Sequence, residues 1–96
     1  MYARHFTFKA KPEARSEIEA VADQMFTFMK TLKGFISVHF VISADESTYG
    51  SFSLWESKKD ALSAAESAGS KAGEALKVLV SEPPTQQIFE VYKPKS

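Results

Sequence analysis

The stretch Thr48–Leu62 constrains the fold of this chain more than any other. Tyr49, Phe52, Leu54 and Trp55 make a strand-like run. At Ser57 the pattern changes. Ser57-Lys58-Lys59-Asp60 reads as a helix N-cap with a capping-box acid three residues on. Ala61, Leu62, Ala64, Ala65 and Ala68 then supply a small apolar helical face, suited to close packing or to leaving space beside it. Trp55, the only tryptophan, therefore sits where a strand hands over to a helix.

The same alternation of periods runs through the rest of the chain. Tyr2–Lys9 has period two, with Tyr2, Arg4, Phe6 and Phe8 on one face and Ala3, His5, Thr7 and Lys9 on the other. Arg4 is the one charge on an otherwise aromatic face. Pro12-Glu13 is expected to open a helix, since proline and an acid both suit a first turn. Ile18, Val21, Ala22, Met25, Phe28, Met29 and Leu32 follow at a 3.6-residue period, and Gly34 is placed for a left-handed cap. Phe35–Ser43 reads as a second strand, Ala44–Ser47 as a turn and Thr48–Glu56 as a third strand. A helix from Lys58 is expected to break at Gly69-Ser70 and resume over Lys71–Val80. Pro83-Pro84 ends it, and Gln86–Tyr92 is the last strand.

The order β-α-β-β-α-β predicts one α+β domain over residues 1–96, with a ferredoxin-like antiparallel sheet and both helices on one face. The first and third strands are central in that arrangement. Helices on one side leave the other face of the sheet uncovered. The second strand is apolar on both faces, with Ile36, Val38, Phe40 and Ile42 opposed to Phe35 and Val41. A second layer is needed, and the simplest is another copy of the sheet, so a face-to-face homodimer is expected.

Composition excludes several classes. Twelve basic and twelve acidic residues cancel, with no basic stripe, which argues against nucleic acid. There is no cysteine, hence no disulfide, thiolate metal site or cysteine nucleophile. With only His5 and His39, no multi-histidine metal site is expected. No apolar run is long enough for a membrane span, and Met1–Phe6 lacks the apolar core of a signal peptide, so a cytoplasmic protein is expected.

Leu32-Lys33-Gly34-Phe35 entering the second strand, and Leu54-Trp55-Glu56-Ser57 followed by Asp60-Ala61-Leu62, resemble the antibiotic biosynthesis monooxygenase family of the dimeric α/β-barrel superfamily. The resemblance covers nearly the whole chain. It implies a homodimer with a pocket between helices and sheet in each subunit. Some members of that family oxidise phenolic or quinol-like substrates with oxygen and without metal or flavin, so no cofactor is expected; others degrade haem. Members often carry a histidine about ten positions after the tryptophan, and the haem-degrading ones use an asparagine on the first strand. Here those places fall at Ala65 and about Arg4, and the chain has no asparagine. Haem degradation is therefore not expected.

Four residues are candidates for a site. Trp55 is suited to stack on a flat aromatic ligand; its plainer reading is a core residue with its N–H satisfied locally. Arg4 is suited to fix an anionic or enolate-like oxygen, and its plainer reading is a salt bridge or snorkelling side chain. Tyr49 is suited to donate to a substrate oxygen, against rim packing. His39 is the one strand residue suited to act as a general base, against an exposed or satisfied histidine. Ser51 and Ser53 read as small residues leaving room beside Trp55. The functions that follow are a cofactor-independent monooxygenase acting on a small aromatic or quinol-like substrate, a non-catalytic dimeric binding or stress-associated protein on the same scaffold, and an interaction module whose sheet edges pair with other chains.

Overall fold

The computed structural model describes residues 1–95. The chain runs β1 (Tyr2–Lys9), α1 (Arg15–Met29), β2 (Phe35–Ile42), β3 (Thr48–Trp55), α2 (Lys58–Lys77) and β4 (Thr85–Glu90). The strands form one antiparallel sheet in the order β2-β3-β1-β4, so β1 and β3 are central. The fold is α+β and ferredoxin-like, as the order of periods predicts.

Register fixes which side chains face the helices. Across β1 and β3 the paired rungs are Tyr2 with Trp55, Arg4 with Ser53, Phe6 with Ser51, and Phe8 with Tyr49. These rungs face α1 and α2. Trp55, Met25, Met29, Ala61, Ala64 and Ala68 form one core cluster, and Phe8, Tyr49, Ala14 and Ile18 a second. The opposite face presents Ala3, His5 and Thr7 on β1, Phe52 and Leu54 on β3, and His39 and Val41 on β2.

After Trp55 the Ser57 N-cap forms as the pattern predicts, but among the described residues the reciprocal capping-box bond from the Ser57 N–H to the Asp60 carboxylate does not. Ser57 is extended, and its hydroxyl accepts from the Asp60 backbone N–H at 3.1 Å. The Asp60 side chain lies under Gly34, whose φ of 80° is left-handed. A Cβ at Gly34 would collide with that carboxylate. Only glycine satisfies both the backbone angle and the contact.

Four expectations change. First, α1 begins at Arg15, not at Pro12-Glu13. Glu13 has a φ of 66°, which no right-handed helix accommodates, so Pro12 and Glu13 form a turn. Second, α2 is continuous through Gly69-Ser70. An interior glycine costs about 1 kcal/mol relative to alanine. Burial of Ala68 and Ala72 on either side of it offsets that penalty. Third, β2 carries a bulge between Phe35 and Ser37. The extra residue resets the alternation, so Phe35 joins Val38 on the helix side and meets Trp55 edge-on at 5.5 Å. Fourth, β4 stops at Glu90, because its partner β1 begins at Tyr2, opposite Glu90. No helix among the described residues is long and apolar enough to cross a membrane.

Candidate functional site

Between the two helices and the covered face of the sheet lies a cavity of about 1010 Å³. Pockets for small molecules range up to roughly 1,000 Å³, so this one is large for a chain of this length. Its existence follows from side-chain size. Where α2 crosses the sheet it offers Ala68, Gly69, Ala72 and Gly73, which are too small to fill the space above Phe6 and Ser51. From the other side α1 contributes Ile18, Met25 and Met29. Those methionines serve the core and the cavity wall together, whereas the 3.6-residue stripe is legible only as ordinary core.

Three polar side chains from the sheet line this apolar space: Arg4, Ser51 and Tyr49. All three are buried, Arg4 at 6% exposure. They follow one another along the central pair of strands, Arg4 on the second rung, Ser51 on the third and Tyr49 on the fourth. Arg4 Nε donates to Gln86 Oε1 on β4 at 2.8 Å. Its guanidinium carbon lies 5.1 Å from the centre of the Phe6 ring. That cation–π contact offsets part of the burial, by about 0.5–2 kcal/mol, but does not neutralise the charge. The salt bridges among the described residues both belong to Arg15, which pairs with Glu19 and Glu46. Among the described residues Arg4 has no carboxylate partner. Burial pushes its guanidinium below the usual value, though such a group starts high enough to stay charged at neutral pH. The exposed lining residues Glu19, Asp23, Lys77 and Glu82 form the rim.

Tyr49 stacks on Phe8 with ring centres 5.9 Å apart. Among the described residues no partner engages its hydroxyl or that of Ser51, and no buried polar side-chain atom lacks a partner. Both hydroxyls are therefore accessible to the space they line.

The structure brings Arg4 and Tyr49 to one cavity and separates Trp55 and His39 from it. Trp55 is fully buried, does not line the cavity, and donates its indole N–H to Ser53 Oγ at 2.9 Å. The plainer reading of Trp55 describes its surroundings. Ser53, which leaves no room beside Trp55, is its hydrogen-bond acceptor. Tyr49 stands three rungs from Trp55 and is not its neighbour. His39 is exposed on the opposite face of the sheet, paired across β3 with Phe52. Within one chain it cannot take a proton from a molecule held between helices and sheet. His5 lies on that same far face, its ring stacked on Phe52 at 4.2 Å. Among the described residues no cluster of three or more potential metal ligands occurs. Gln86 and Ser51 are the site residues that sequence reasoning missed as such. Ser51 carried a signal, since it shares parity with Tyr49. Gln86 carried none, because its partner depends on how β4 pairs with β1.

The fold and the cavity define a ferredoxin-like α+β domain with a small-molecule-sized space under its helices. The chain belongs to the antibiotic biosynthesis monooxygenase family, whose model matches residues 1–76. Its backbone is similar to that of Rv0793 from Mycobacterium tuberculosis, with a TM-score of 0.83 and 22% identity over 99% of this chain and 98% of that one. It is also similar to SnoaB, a cofactor-independent oxygenase from Streptomyces nogalater (TM-score 0.80, 18% identity, 97% and 94% coverage). A third is the monooxygenase ActVA-Orf6 of Streptomyces coelicolor, solved in complex with nanaomycin D (TM-score 0.79, 19% identity, 99% and 90% coverage). Identities this low establish a shared fold. No curated protein matches the chain in sequence.

Proposed function

We propose that the cavity binds a small aromatic molecule and that the protein is a cofactor-independent monooxygenase of quinol-like or phenolic substrates. The observation that carries this reading is the combination in one apolar cavity of a buried, unpaired Arg4 with the Tyr49 and Ser51 hydroxyls. An electron-rich phenol or quinol, once deprotonated, can pass electrons to oxygen directly. The protein then needs to orient the ring, exclude water and stabilise the oxyanion. Preorganised charge in an apolar site does the last of these. Arg4 and Tyr49 hold the substrate, and Trp55 supports the sheet beneath Arg4 through Ser53. The fold shared with SnoaB and with the nanaomycin-bound ActVA-Orf6 supports the reading. Oxygen uptake with an anthrone-type or quinol substrate tests it. Turnover above buffer that falls at least tenfold in Arg4→Met is the expected result; no turnover with any such substrate overturns it.

One observation favours a second reading, a non-catalytic binder. The cavity lining holds no histidine, and its carboxylates lie on the exposed rim. Aromatic ligands that bind and are recovered unchanged would support this reading over the first.

The assembly that fits the open sheet face is a homodimer. From Ala3 to Thr7 on β1, and along the facing positions of β2, β3 and β4, that face carries no charged side chain. Phe52 and Phe89 are nearly half exposed there, at 46% and 45%. Such a face is expected to be polar in a monomer. A second copy supplies an equally uncharged surface, and the central Phe52 then packs near the two-fold axis. Sedimentation showing only monomer at micromolar concentration would sink this assembly.

A further inference from the structure

We infer that the cavity is built for a ligand bearing a carboxylate: an aromatic acid of at least two fused rings, its carboxylate on Arg4 and an oxygen at its far end on Ser51 or Tyr49. The inference rests on the reading of the cavity as a small-molecule site and adds to it the chemical class of the molecule.

Arg4 carries the argument. A guanidinium has five N–H donors in a rigid fork. Gln86 engages Nε at 2.8 Å and so fixes the plane of the group. Among the described residues the two terminal nitrogens have no protein acceptor and no acid within bridging distance. No buried polar side-chain atom among the described residues is left unpartnered, so those nitrogens reach open space. With Nε occupied, what remains is the end-on pair of nitrogens, the geometry that takes a carboxylate with two parallel hydrogen bonds. The guanidinium leans over Phe6, which lies on the next rung toward the cavity, so the fork points inward rather than to the strand end. An unpaired cation buried to this degree is costly unless something neutralises it. A carboxylate ligand would.

The spacing of the polar groups sets the size of the ligand. Ser51 is on the rung after that of Arg4, roughly 7 Å further along the backbone, and Tyr49 a further rung on, roughly 13 Å along the backbone from Arg4; the lean of the guanidinium toward Phe6 shortens both spans between the polar groups themselves. A naphthalene skeleton with substituents at opposite ends spans the first distance, and a three-ring skeleton approaches the second. Between these points the walls are Phe6, Met25, Met29, Ala68 and Ala72, which offer nothing polar to the middle of a ligand.

Calorimetric titration of the full chain with 6-hydroxynaphthalene-2-carboxylate and with the matching neutral carboxamide tests the inference. The carboxylate is expected to bind at least tenfold more tightly. That preference should fall below threefold in Arg4→Met and survive in Lys77→Gln, which removes the cation at the rim. Gln86→Leu leaves the cation in place but frees its plane, and should reduce the preference severalfold. This variant carries the test if Arg4→Met does not fold. Equal affinity of the two probes for the unaltered protein overturns the carboxylate inference and leaves the small-molecule reading standing. A preference retained in folded Arg4→Met, or in Gln86→Leu where Arg4→Met is unfolded, overturns it also. Binding of neither probe removes both.

Discussion

Arg4 and Trp55 are both candidate ligand contacts in the sequence, and the structure separates them: Arg4 lines the cavity and Trp55 does not. Trp55 is the more conspicuous residue, yet it is sealed in the core with its indole N–H satisfied by Ser53. Ser53→Ala should therefore destabilise the fold by about 1–3 kcal/mol, the cost of a buried donor left without an acceptor. Denaturant unfolding checks this. A second residue-scale effect concerns Asp45, in the β2–β3 turn. Its carboxylate accepts from the hydroxyls of Ser43 and Ser47 and from the Ser47 backbone N–H. Those bonds, the Ser47 hydroxyl foremost, hold its pKa down at about 2. A depressed carboxylate pKa stabilises the folded state above the ordinary carboxylate range, and the contribution is lost as pH falls from about 4 toward 2. Asp45→Ala should thus lower the melting temperature at pH 7, and the gap from the unaltered protein should close by pH 2. Because Asp45 is exposed, the effect at pH 7 should be small.

At the scale of elements, α2 decides whether a cavity exists. Gly69 and Gly73 have nothing within 4 Å of where a Cβ would be, and both line the cavity. Gly69→Ala and Gly73→Ala should each stabilise the protein by about 0.4–1 kcal/mol, through helix propensity and a less flexible unfolded chain. Each should also narrow the cavity, so a rise in melting temperature accompanied by weaker ligand binding is the expected pair of readings. The glycines look like a helix break when the sequence is read alone, because propensity is local information. Whether a helix continues depends on the burial of Ala68 and Ala72, which is not local. The start of α1 has a similar explanation. Proline and an acid suit a first helical turn, and the left-handed Glu13 that displaces the helix to Arg15 has no sequence signal of its own.

For the whole molecule, the question is what covers the open face of the sheet. With Phe52, Phe89 and Val41 exposed there, Phe52→Lys should shift sedimentation from dimer to monomer. The isolated subunit should remain folded, since Phe52 is outside both core clusters. Reduced ligand binding in such a monomer would mean that the second copy supports the cavity from behind.

The order of strands and helices, the central place of β1 and β3, and the Ser57 cap were determined by the sequence alone. Each depends on periodicity and on contacts between near neighbours, which a linear pattern records. Tertiary structure decided the rest. β2 is apolar on both faces, so its side chains do not say which face meets the helices. Only pairing with β3, and the bulge after Phe35, put His39 outside and Phe35 inside. Likewise the depth of Trp55 and the solitude of Arg4 depend on what other elements bring alongside them. The one charge on an aromatic strand was visible from the start. That it has no carboxylate partner among the described residues could be learned only once β4 had delivered Gln86 to its side.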